Sequence, residues 1–350
     1  MTMPQHVLSV LVVALNEAQH LPGLKAALDR LHLPAGWSIE SILIDGGSRD
    51  GSVEAAREAG FDECQVHPGA SIPVCRNHAL RAARGVALAF LDADCMPGRD
   101  WLFHAAPWLL KPTPVLIGYP VAPPETGNWI QKSWHAHWHH KNPAAKGDPA
   151  EPVALDAFRL LTTRNMLFNR ALLDVVPSFD ESLATGEDTD FAFRAAQAGC
   201  EVVALPSLRV THLGEPSTLR QYYRQQLWHA NRKAYATILA SSGGKAGAHA
   251  IYFSCAFLVA LLLVPLGILL AILFSPGFWL LLAPLVFVTA GPAALIADRA
   301  NSPLLFLRLC VLYFLYGLAR SVDLVGLSPR KKSWKSREVA GGRSSDVGIG

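Results

Sequence analysis

Residues 86–95 read Val-Ala-Leu-Ala-Phe-Leu-Asp-Ala-Asp-Cys, an apolar run that ends in two carboxylates. The run Val86–Leu91 predicts a buried strand, and similar runs at Val7–Ala14 and Ile39–Ile44 predict two more. Helical stretches lie between and after them, at Gln19–Leu31, Ser52–Gly60 and Arg76–Arg84. Strands that alternate with helices in this order predict an α/β fold, with a mostly parallel sheet and helices on both faces.

Polar side chains follow the ends of these strands, where open parallel sheets bind their ligands. Asn16 and Glu17 follow the first strand, and Asp92 and Asp94 follow the third. Two carboxylates separated by one residue suit a hard divalent cation such as Mg²⁺ or Mn²⁺, which commonly bridges carboxylate and diphosphate oxygens. A solvated turn is the alternative for an isolated Asp-x-Asp, and the position at a strand end favours the metal site.

The second strand ends at Asp45, within Ile44-Asp45-Gly46-Gly47-Ser48-Arg49-Asp50-Gly51-Ser52. The two glycines allow the backbone to approach a ligand closely, so Asp45 is a candidate partner of a nucleobase or ribose. A plain turn followed by a helix cap at Ser52 is the structural alternative.

A third acidic motif, Gly186-Glu187-Asp188-Thr189-Asp190, opens a predicted helix at Glu187–Ala198. A carboxylate here could act as a general base toward an acceptor hydroxyl. Helix starts are also often acidic because the helix dipole favours negative charge there, so both readings stay open.

The C-terminal part of the chain is much more apolar than the rest. Apolar residues make up 51% of the 350 residues, and the excess collects after Ile251. As helices, Ile251–Phe274 and Phe278–Ala297 would be about 36 and 30 Å long, enough to span a hydrocarbon core of about 30 Å. A third segment, Leu304–Leu327, carries charges, so we expect two crossings plus a helix in the interface, with three crossings as the alternative.

Charge and cysteine content indicate the compartment in which the chain lies. The formal net charge of +3 is too small to indicate nucleic-acid binding. A basic cluster at 330–337, in a tail (328–350) expected to be disordered, favours a cytoplasmic, lipid-facing flank. Six dispersed cysteines fit a reducing compartment, and Val7–Val13 is too short for a secretory segment. We therefore expect a multi-pass protein of the cell (inner) membrane with its catalytic domain in the cytoplasm.

The proline-rich stretch Pro112–Pro152 is interpreted as long loops over a site. It holds the unusual His/Trp-rich segment 129–140, whose Trp134 and Trp138 are candidates for stacking on an acceptor. A surface loop that packs its tryptophans on the domain is the alternative. Asn165, near the start of a predicted strand that turns into a helix (Arg164–Leu173), is a further candidate acceptor contact.

Taken together, the motifs resemble those of the family-2 glycosyltransferases in type, order and spacing, over roughly residues 7–235. The motifs that carry the resemblance are Asn16-Glu17, Asp45-Gly46-Gly47-Ser48, Arg76-Asn77, Asp92-Ala93-Asp94 and Gly186-Glu187-Asp188. The resemblance implies a GT-A fold and an inverting transfer from a nucleotide sugar, most commonly a uridine diphosphate sugar. It divides the catalytic domain, which the alternating strands and helices place at 1–240, into a donor half at 1–110 and an acceptor half at 111–240. The apolar runs predict a membrane region at 250–327.

The resemblance also implies roles for single residues. Asp188 matches the catalytic base, with Glu187 beside it. Asp94 matches the direct metal ligand, Asp92 the acid near ribose and metal, and His212 a further metal or diphosphate contact. The donor-binding residues it implies are Leu15, Asn16, Glu17, Asp45, Arg76, Asn77 and Asp92.

The expected activity is therefore metal-dependent transfer, with Mn²⁺ or Mg²⁺, to a lipid or lipid-linked saccharide in cell-envelope, exopolysaccharide or glycolipid synthesis. Processive polysaccharide synthases of the family carry Gln-x-x-Arg-Trp, whereas Gln221-Tyr222-Tyr223-Arg224-Gln225 lacks the Trp. This favours a single-addition enzyme over a processive synthase subunit. The remaining alternative is an inactive nucleotide-binding membrane adaptor, against which the intact Asp92, Asp94 and Asp188 argue.

Overall fold

The computed structural model describes residues 6–141, 157–183, 186–230 and 248–327. The chain divides into two compact units. The first comprises Met1–Pro124, Pro143–Gly214 and Lys332–Gly350, and the second comprises Glu125–Asn142 and Glu215–Lys331. The division assigns two helices that lie within the predicted catalytic domain to the unit that holds the membrane-capable helices.

The first unit is built on a seven-stranded mixed sheet in the order β3-β2-β1-β4-β7-β6-β8. Its strands are β1 (His6–Ala14), β2 (Trp37–Asp45), β3 (Glu63–Val66), β4 (Ala87–Asp92), β6 (Val115–Gly118), β7 (Met166–Asn169) and β8 (Glu201–Ala204). β1 pairs in parallel with β2 and β4, β2 with β3, and β6 with β8. β7 runs antiparallel to its neighbours β4 and β6. The predicted mostly parallel sheet is confirmed.

Helices cover both faces of this sheet, because the buried strands are apolar on both sides. The unit's helices are α1 (Leu21–Asp29), α2 (Ser52–Ala59), α3 (Ile72–Ala82), α4 (Trp101–Leu109) and α6 (Glu187–Gln197). Val10 and Val12 of β1 pack in one core with α1 and α4, whereas Leu11 packs in a second core with α3 and α6. α6 ends at the C-cap Ala198, and the next residue, Gly199, has a φ of 78°.

A small second sheet joins two distant segments of the chain. β5 (Cys95–Pro97) pairs antiparallel with β9 (Val210–His212), so that Cys95 faces His212. The short segment after β4 is thereby tied to the end of the first unit.

The reading of Pro112–Pro152 as long loops is wrong for the described part of that stretch. It contains β6 and the helix α5 (Trp129–Lys141). The prolines flank these elements instead of interrupting them, since Pro114 precedes β6, Pro120 follows it and Pro124 precedes α5. Flanking prolines end regular structure without removing any of its internal hydrogen bonds.

The second unit is entirely helical in its described part. It contains α5, α7 (Leu219–His229), α8 (Ala248–Leu273), a 3₁₀ segment (Pro276–Leu282) leading into α9 (Ala283–Arg299), and α10 (Pro303–Leu324). Thr218 and Gln221 form a capping box at the start of α7.

Three stretches of this unit are long and apolar enough to cross a membrane: Ile251–Leu273, Pro276–Asp298 and Pro303–Leu324. Many of their apolar side chains are exposed, including Leu262, Leu280 and Phe287 at 63, 77 and 75%. Exposed apolar surface of this extent suits a lipid environment.

Candidate active site

The carboxyl ends of β2, β1 and β4 bring the predicted acidic residues to one edge of the sheet. In the register, Ala14 at the end of β1 lies beside Asp45 of β2, and Val13 lies beside Asp92 of β4. The two aspartates therefore flank the end of β1, from which Leu15, Asn16 and Glu17 continue as a loop.

Hydrogen bonds tie this loop to the one that follows β2. The backbone N–H of Asn16 donates to Oγ of Ser48 at 2.8 Å, and Oδ1 of Asn16 accepts from the N–H of Arg49 at 3.0 Å. The N–H of Glu17 donates to Oγ of Ser52 at 2.8 Å. Asn16 adopts a φ of 58°, a conformation that asparagine tolerates better than most residues. Its side chain thus holds the two loops together.

Asp45 organises the second loop from inside. Its carboxylate is fully buried and accepts hydrogen bonds from the N–H groups of Gly47 and Ser48, at 2.8 and 2.7 Å, and from the Ser48 hydroxyl. Gly47 has a φ of 100°, and a Cβ at this position would lie 3.0 Å from Cα of Pro68, so a larger residue would be strained here. The turn predicted as the structural alternative is therefore present, and a nucleobase contact by Asp45 stays a prediction.

Three carboxylates share one region of this edge. Burial raises the pKa of Asp92 above its ordinary value, and the charge of Asp94 adds to this, opposed by Arg76, His212 and Arg164. Burial also raises the pKa of Glu17, with further contributions from the charges of Asp94 and Asp92. Mutual repulsion of this kind is relieved by a bound cation.

His212 completes this region. Its Nε2 lies 3.1 Å from Oδ2 of Asp94. Burial alone would raise the pKa of Asp94, but the hydrogen bond and charge of His212 outweigh burial and hold that pKa below its ordinary value. Gly214 lies against the pair, because a Cβ at this position would overlap Oδ2 of Asp94. Carboxylate oxygens and imidazole are both common ligands of divalent metal ions.

Cys95 is a neighbour of this pair that the sequence reasoning did not single out. Ligand atoms of Asp94, Cys95 and His212 all lie within 4.8 Å of one another. Burial raises the pKa of the Cys95 thiol well above its ordinary value, so Cys95 is a neutral thiol near neutral pH. The sequence reasoning did not single out His20 either. Its Nδ1 lies 2.8 Å from Oε2 of Glu17, a contact that depends on the local turn.

The third acidic motif is linked to the first by Arg76. The guanidinium of Arg76 forms an ion pair with Glu187, and both side chains are buried. Burial raises the pKa of Glu187, as does the neighbouring Asp188, whereas Arg76 lowers it. Asp188 stays partly accessible and accepts a hydrogen bond of 2.8 Å from the N–H of Thr189.

The side chain of Asn77 makes hydrogen bonds within the protein. Its amide donates to the Phe179 carbonyl at 3.0 Å and to Oε1 of Glu181 at 2.8 Å, and its oxygen accepts from the N–H of Phe179 at 2.8 Å. Asn77 therefore holds the loop before α6, and a donor contact by Asn77 stays a prediction.

Two predicted acceptor contacts are interior residues. Asn165 is fully buried, donates to the carbonyls of Tyr119 and Leu208, and accepts from the indole of Trp101. Trp134 is 7% exposed and packs on Tyr222 and Leu312 in the second unit. Both predictions are corrected, because neither side chain has a free surface for a sugar. The side chain of Trp138 lies outside the described residues.

Comparison with known proteins identifies the fold and the family. Residues 9–173 match the family model described as glycosyl transferase family 2. The chain carries a family-2 glycosyltransferase domain. The resemblance to family-2 glycosyltransferases that the motifs indicated is thereby confirmed. The chain is a transferase with a nucleotide-sugar donor fold.

The relatives that the chain matches are glycosyltransferases. It is 23% identical over 255 residues to glycosyltransferase AglE of Haloferax volcanii, covering 69% of this chain and 80% of AglE. It is 26% identical over 176 residues to the pre-mycofactocin glycosyltransferase of Mycobacterium tuberculosis, covering 49% of this chain and 37% of that protein.

A solved structure of similar fold is the mannosyltransferase PcManGT from Pyrobaculum calidifontis, in complex with GDP-Man and Mn²⁺. The TM-score is 0.55 at 18% identity, and the match covers 92% of this chain and 89% of that one. The likeness confirms the GT-A fold of the family-2 domain.

Proposed function

We propose that the protein transfers a sugar, with inversion and metal dependence, from a nucleotide sugar to a membrane-associated acceptor. The observation that carries the proposal is the cluster of Glu17, Asp92 and Asp94 beside His212, at the ligand-binding edge of the sheet. Such a cluster needs a cation for charge balance, and a nucleotide sugar offers the diphosphate that binds with one.

Mn²⁺ or Mg²⁺ would be held by Asp94 and His212, with Asp92 close by. When bound, the ion neutralises charge that develops on the diphosphate leaving group. Asp94 has a depressed pKa and keeps its carboxylate ionised, while Gly214 leaves the space that a side chain would fill.

Asp188 is the proposed general base. It lies at the start of α6, directly after Glu187, whose ion pair with Arg76 fixes the first turn of the helix. Asp188 takes the proton of the acceptor hydroxyl while that oxygen forms its bond to the anomeric carbon. The bond to the diphosphate breaks on the opposite face of the sugar, so a single displacement inverts the anomeric configuration.

The loops after β1 and β2 form the proposed binding site of the nucleoside. Asn16 and Asp45 fix these loops internally, so their backbone and the adjacent Leu15 present a pre-organised surface at the sheet edge. A uridine diphosphate sugar is the first donor to test. GDP-mannose is the second, because the similar mannosyltransferase was solved with it.

The acceptor is proposed to be a lipid or a lipid-linked saccharide. The membrane-capable helices follow the catalytic chain, so the reaction would take place next to a bilayer. The basic cluster at 330–337 favours the cytoplasmic side of that bilayer. A role in cell-envelope, exopolysaccharide or glycolipid synthesis follows from that acceptor class.

The test is transfer by the full chain in proteoliposomes, using radiolabelled nucleotide sugars and a set of polyprenyl-linked and glycerolipid acceptors. We expect one donor to label a lipid product whose anomeric configuration is opposite to that of the donor. Asp188→Asn should lower transfer by roughly 10²–10⁴-fold, the usual contribution of a general base. Retained configuration, or full activity of Asp188→Asn, would refute the mechanism. Absence of binding by any nucleotide sugar would favour the adaptor alternative.

A further inference from the structure

Helix α10 has two different faces. One side carries a stripe of exposed apolar residues at helical spacing: Leu304, Leu307, Val311 and Phe314, which are 54, 60, 42 and 39% exposed. The opposite side is buried and holds both apolar residues, such as Leu309 and Leu312, and polar ones: Tyr313, Arg320, Ser321 and Asp323. A helix with one apolar exposed face and one covered face fits the boundary between protein and lipid.

The buried face of α10 packs against α5 and α7, which are polar helices. The hydroxyl of Tyr313 is hydrogen-bonded to Nδ1 of His137 in α5 at 2.5 Å. The guanidinium of Arg320 donates to the carbonyl of His229, at the end of α7, at 3.0 Å. Trp134 of α5 lies against the rings of Tyr313 and Tyr316. The contacts with polar helices thus lie in the second half of α10, whereas Leu309 packs with Ala293 and Ile296 at the end of α9.

The middle of the α8–α9 hairpin is not covered by α10. Buried residues of these two helices are at the ends that join the rest of the unit: Ser254, Phe257, Ala260, Ala293, Ile296 and Ala297. Between residues 261 and 292, the only buried residue is Gly267, which faces the hairpin's own Phe278 and Leu281. A third helix that crossed the bilayer beside the hairpin would cover part of this stretch.

The side of the membrane on which α10 lies follows from α5. The segment Glu125–Asn142 leaves the catalytic unit and returns to it, and its helix of 13 residues is too short to span a bilayer. α5 therefore lies on the same side of the membrane as the catalytic unit. Because α10 contacts α5 with its second half, the end of α10 lies on that side too.

We infer that α10 is a membrane-surface helix and not a third crossing. Its stripe, Leu304, Leu307, Val311 and Phe314, rests in the headgroup–acyl boundary of the bilayer, continuous with the lipid-exposed faces of α8 and α9. The chain then crosses the bilayer twice, and its basic tail lies on the catalytic side, where anionic lipids attract it. The inference rests on the membrane location in the proposed function and is independent of catalysis.

The depth of spin labels tests this orientation. Nitroxides are attached to Leu304→Cys and Val311→Cys in the full chain with its six native cysteines replaced, reconstituted in vesicles of phosphatidylcholine and phosphatidylglycerol. A surface helix places both labels at one depth. A crossing helix places the second about 10 Å deeper, from seven residues at 1.5 Å each. Tyr252→Cys and Val259→Cys on α8 have the same spacing and should show that 10 Å difference.

Reporter fusions test the same inference on the native sequence. A fluorescent protein fused after Gly350 should fluoresce, and alkaline phosphatase fused at the same place should be inactive. The same two results are expected for fusions at the N-terminus. Phosphatase inserted at Gly277 should be active. Active phosphatase after Gly350, or a 10 Å step between the α10 labels, would overturn the inference. Donor hydrolysis by the same samples separates the two claims, since a surface α10 in an inactive protein refutes only the proposed function.

Discussion

Oδ2 of Asp94 lies 3.1 Å from Nε2 of His212, although the two residues are far apart in the chain. The pairing of β5 with β9 produces this contact, because it sets Cys95 opposite His212. The N–H of Leu213 adds a bond of 2.9 Å to the carbonyl of Asp94. The backbone therefore fixes the distance between the two side chains, and the candidate metal site does not depend on loop conformation.

Mn²⁺ should stabilise the folded protein through this pair. A ligand at one hundred times its dissociation constant adds about 2.7 kcal/mol to the free energy of unfolding. For a domain of this size that raises the Tm by about 5–10 °C, measured by differential scanning fluorimetry in detergent. Chelation with EDTA should reverse the increase.

Asp94→Asn should abolish the Mn²⁺-dependent increase in Tm, and His212→Ala should raise the Mn²⁺ concentration that is needed. Asp100→Asn is the matched control, since Asp100 is an exposed aspartate hydrogen-bonded to His32. An equal Mn²⁺ effect in Asp94→Asn and Asp100→Asn would place the ion elsewhere.

Gly214→Ala should impair the site without large loss of stability. The added methyl group would overlap Oδ2 of Asp94 and displace it. Misplacement by about 1 Å costs roughly 10²-fold in catalytic rate. Gly291→Ala is the control, because its Cβ would meet open space. Donor hydrolysis by Gly214→Ala at the native rate would show that the position of Asp94 is not critical.

The Arg76–Glu187 pair should matter for stability far more than an ion pair at the surface. Arg76→Met leaves the Glu187 carboxylate buried without its partner, which costs about 3–5 kcal/mol in the free energy of unfolding. Lys111→Met removes the partner of the more exposed Glu201 and should cost no more than about 1 kcal/mol. Denaturant unfolding of both variants measures the difference, and similar losses would contradict the burial argument.

Asp50 should contribute stability that depends on pH. Burial opposes its ionisation, but hydrogen bonds from Ser52 and Ala18 outweigh burial and lower the pKa of Asp50. An acid with a depressed folded pKa stabilises the fold above its unfolded pKa of about 3.9, and that contribution disappears as the pH falls through the folded value. Asp50→Asn should therefore have a lower Tm than the native protein at pH 7, and the difference should narrow below about pH 4. A constant difference would exclude the carboxylate charge as its cause.

Local sequence patterns were sufficient to find the strands that carry the candidate site. β1, β2 and β4 are continuous apolar runs, and each ends in the polar residues that face the ligand edge, as at Asp45 and Asp92. Such runs carry the strand signal within a few residues, so neither partners nor topology were needed to find them.

The remaining features depend on distant pairing, which no local pattern encodes. The position of Cys95 follows from the antiparallel pairing of β5 with β9, and the burial of Asn165 from contacts with Tyr119 and Leu208. The helix α5 was missed because prolines crowd the stretch around it, although none lies inside it. Trp134 carried an aromatic signal that packing inside the second unit explains.

The most direct test of the proposed function is release of nucleoside diphosphate from a nucleotide sugar by the purified full chain. We predict release from one donor only in the presence of Mn²⁺ or Mg²⁺, and a loss of roughly 10²–10³-fold in Asp94→Asn, with Asp100→Asn unchanged. Release that persists in EDTA, or at the native rate in Asp94→Asn, would contradict a metal-dependent transferase centred on Asp94 and His212.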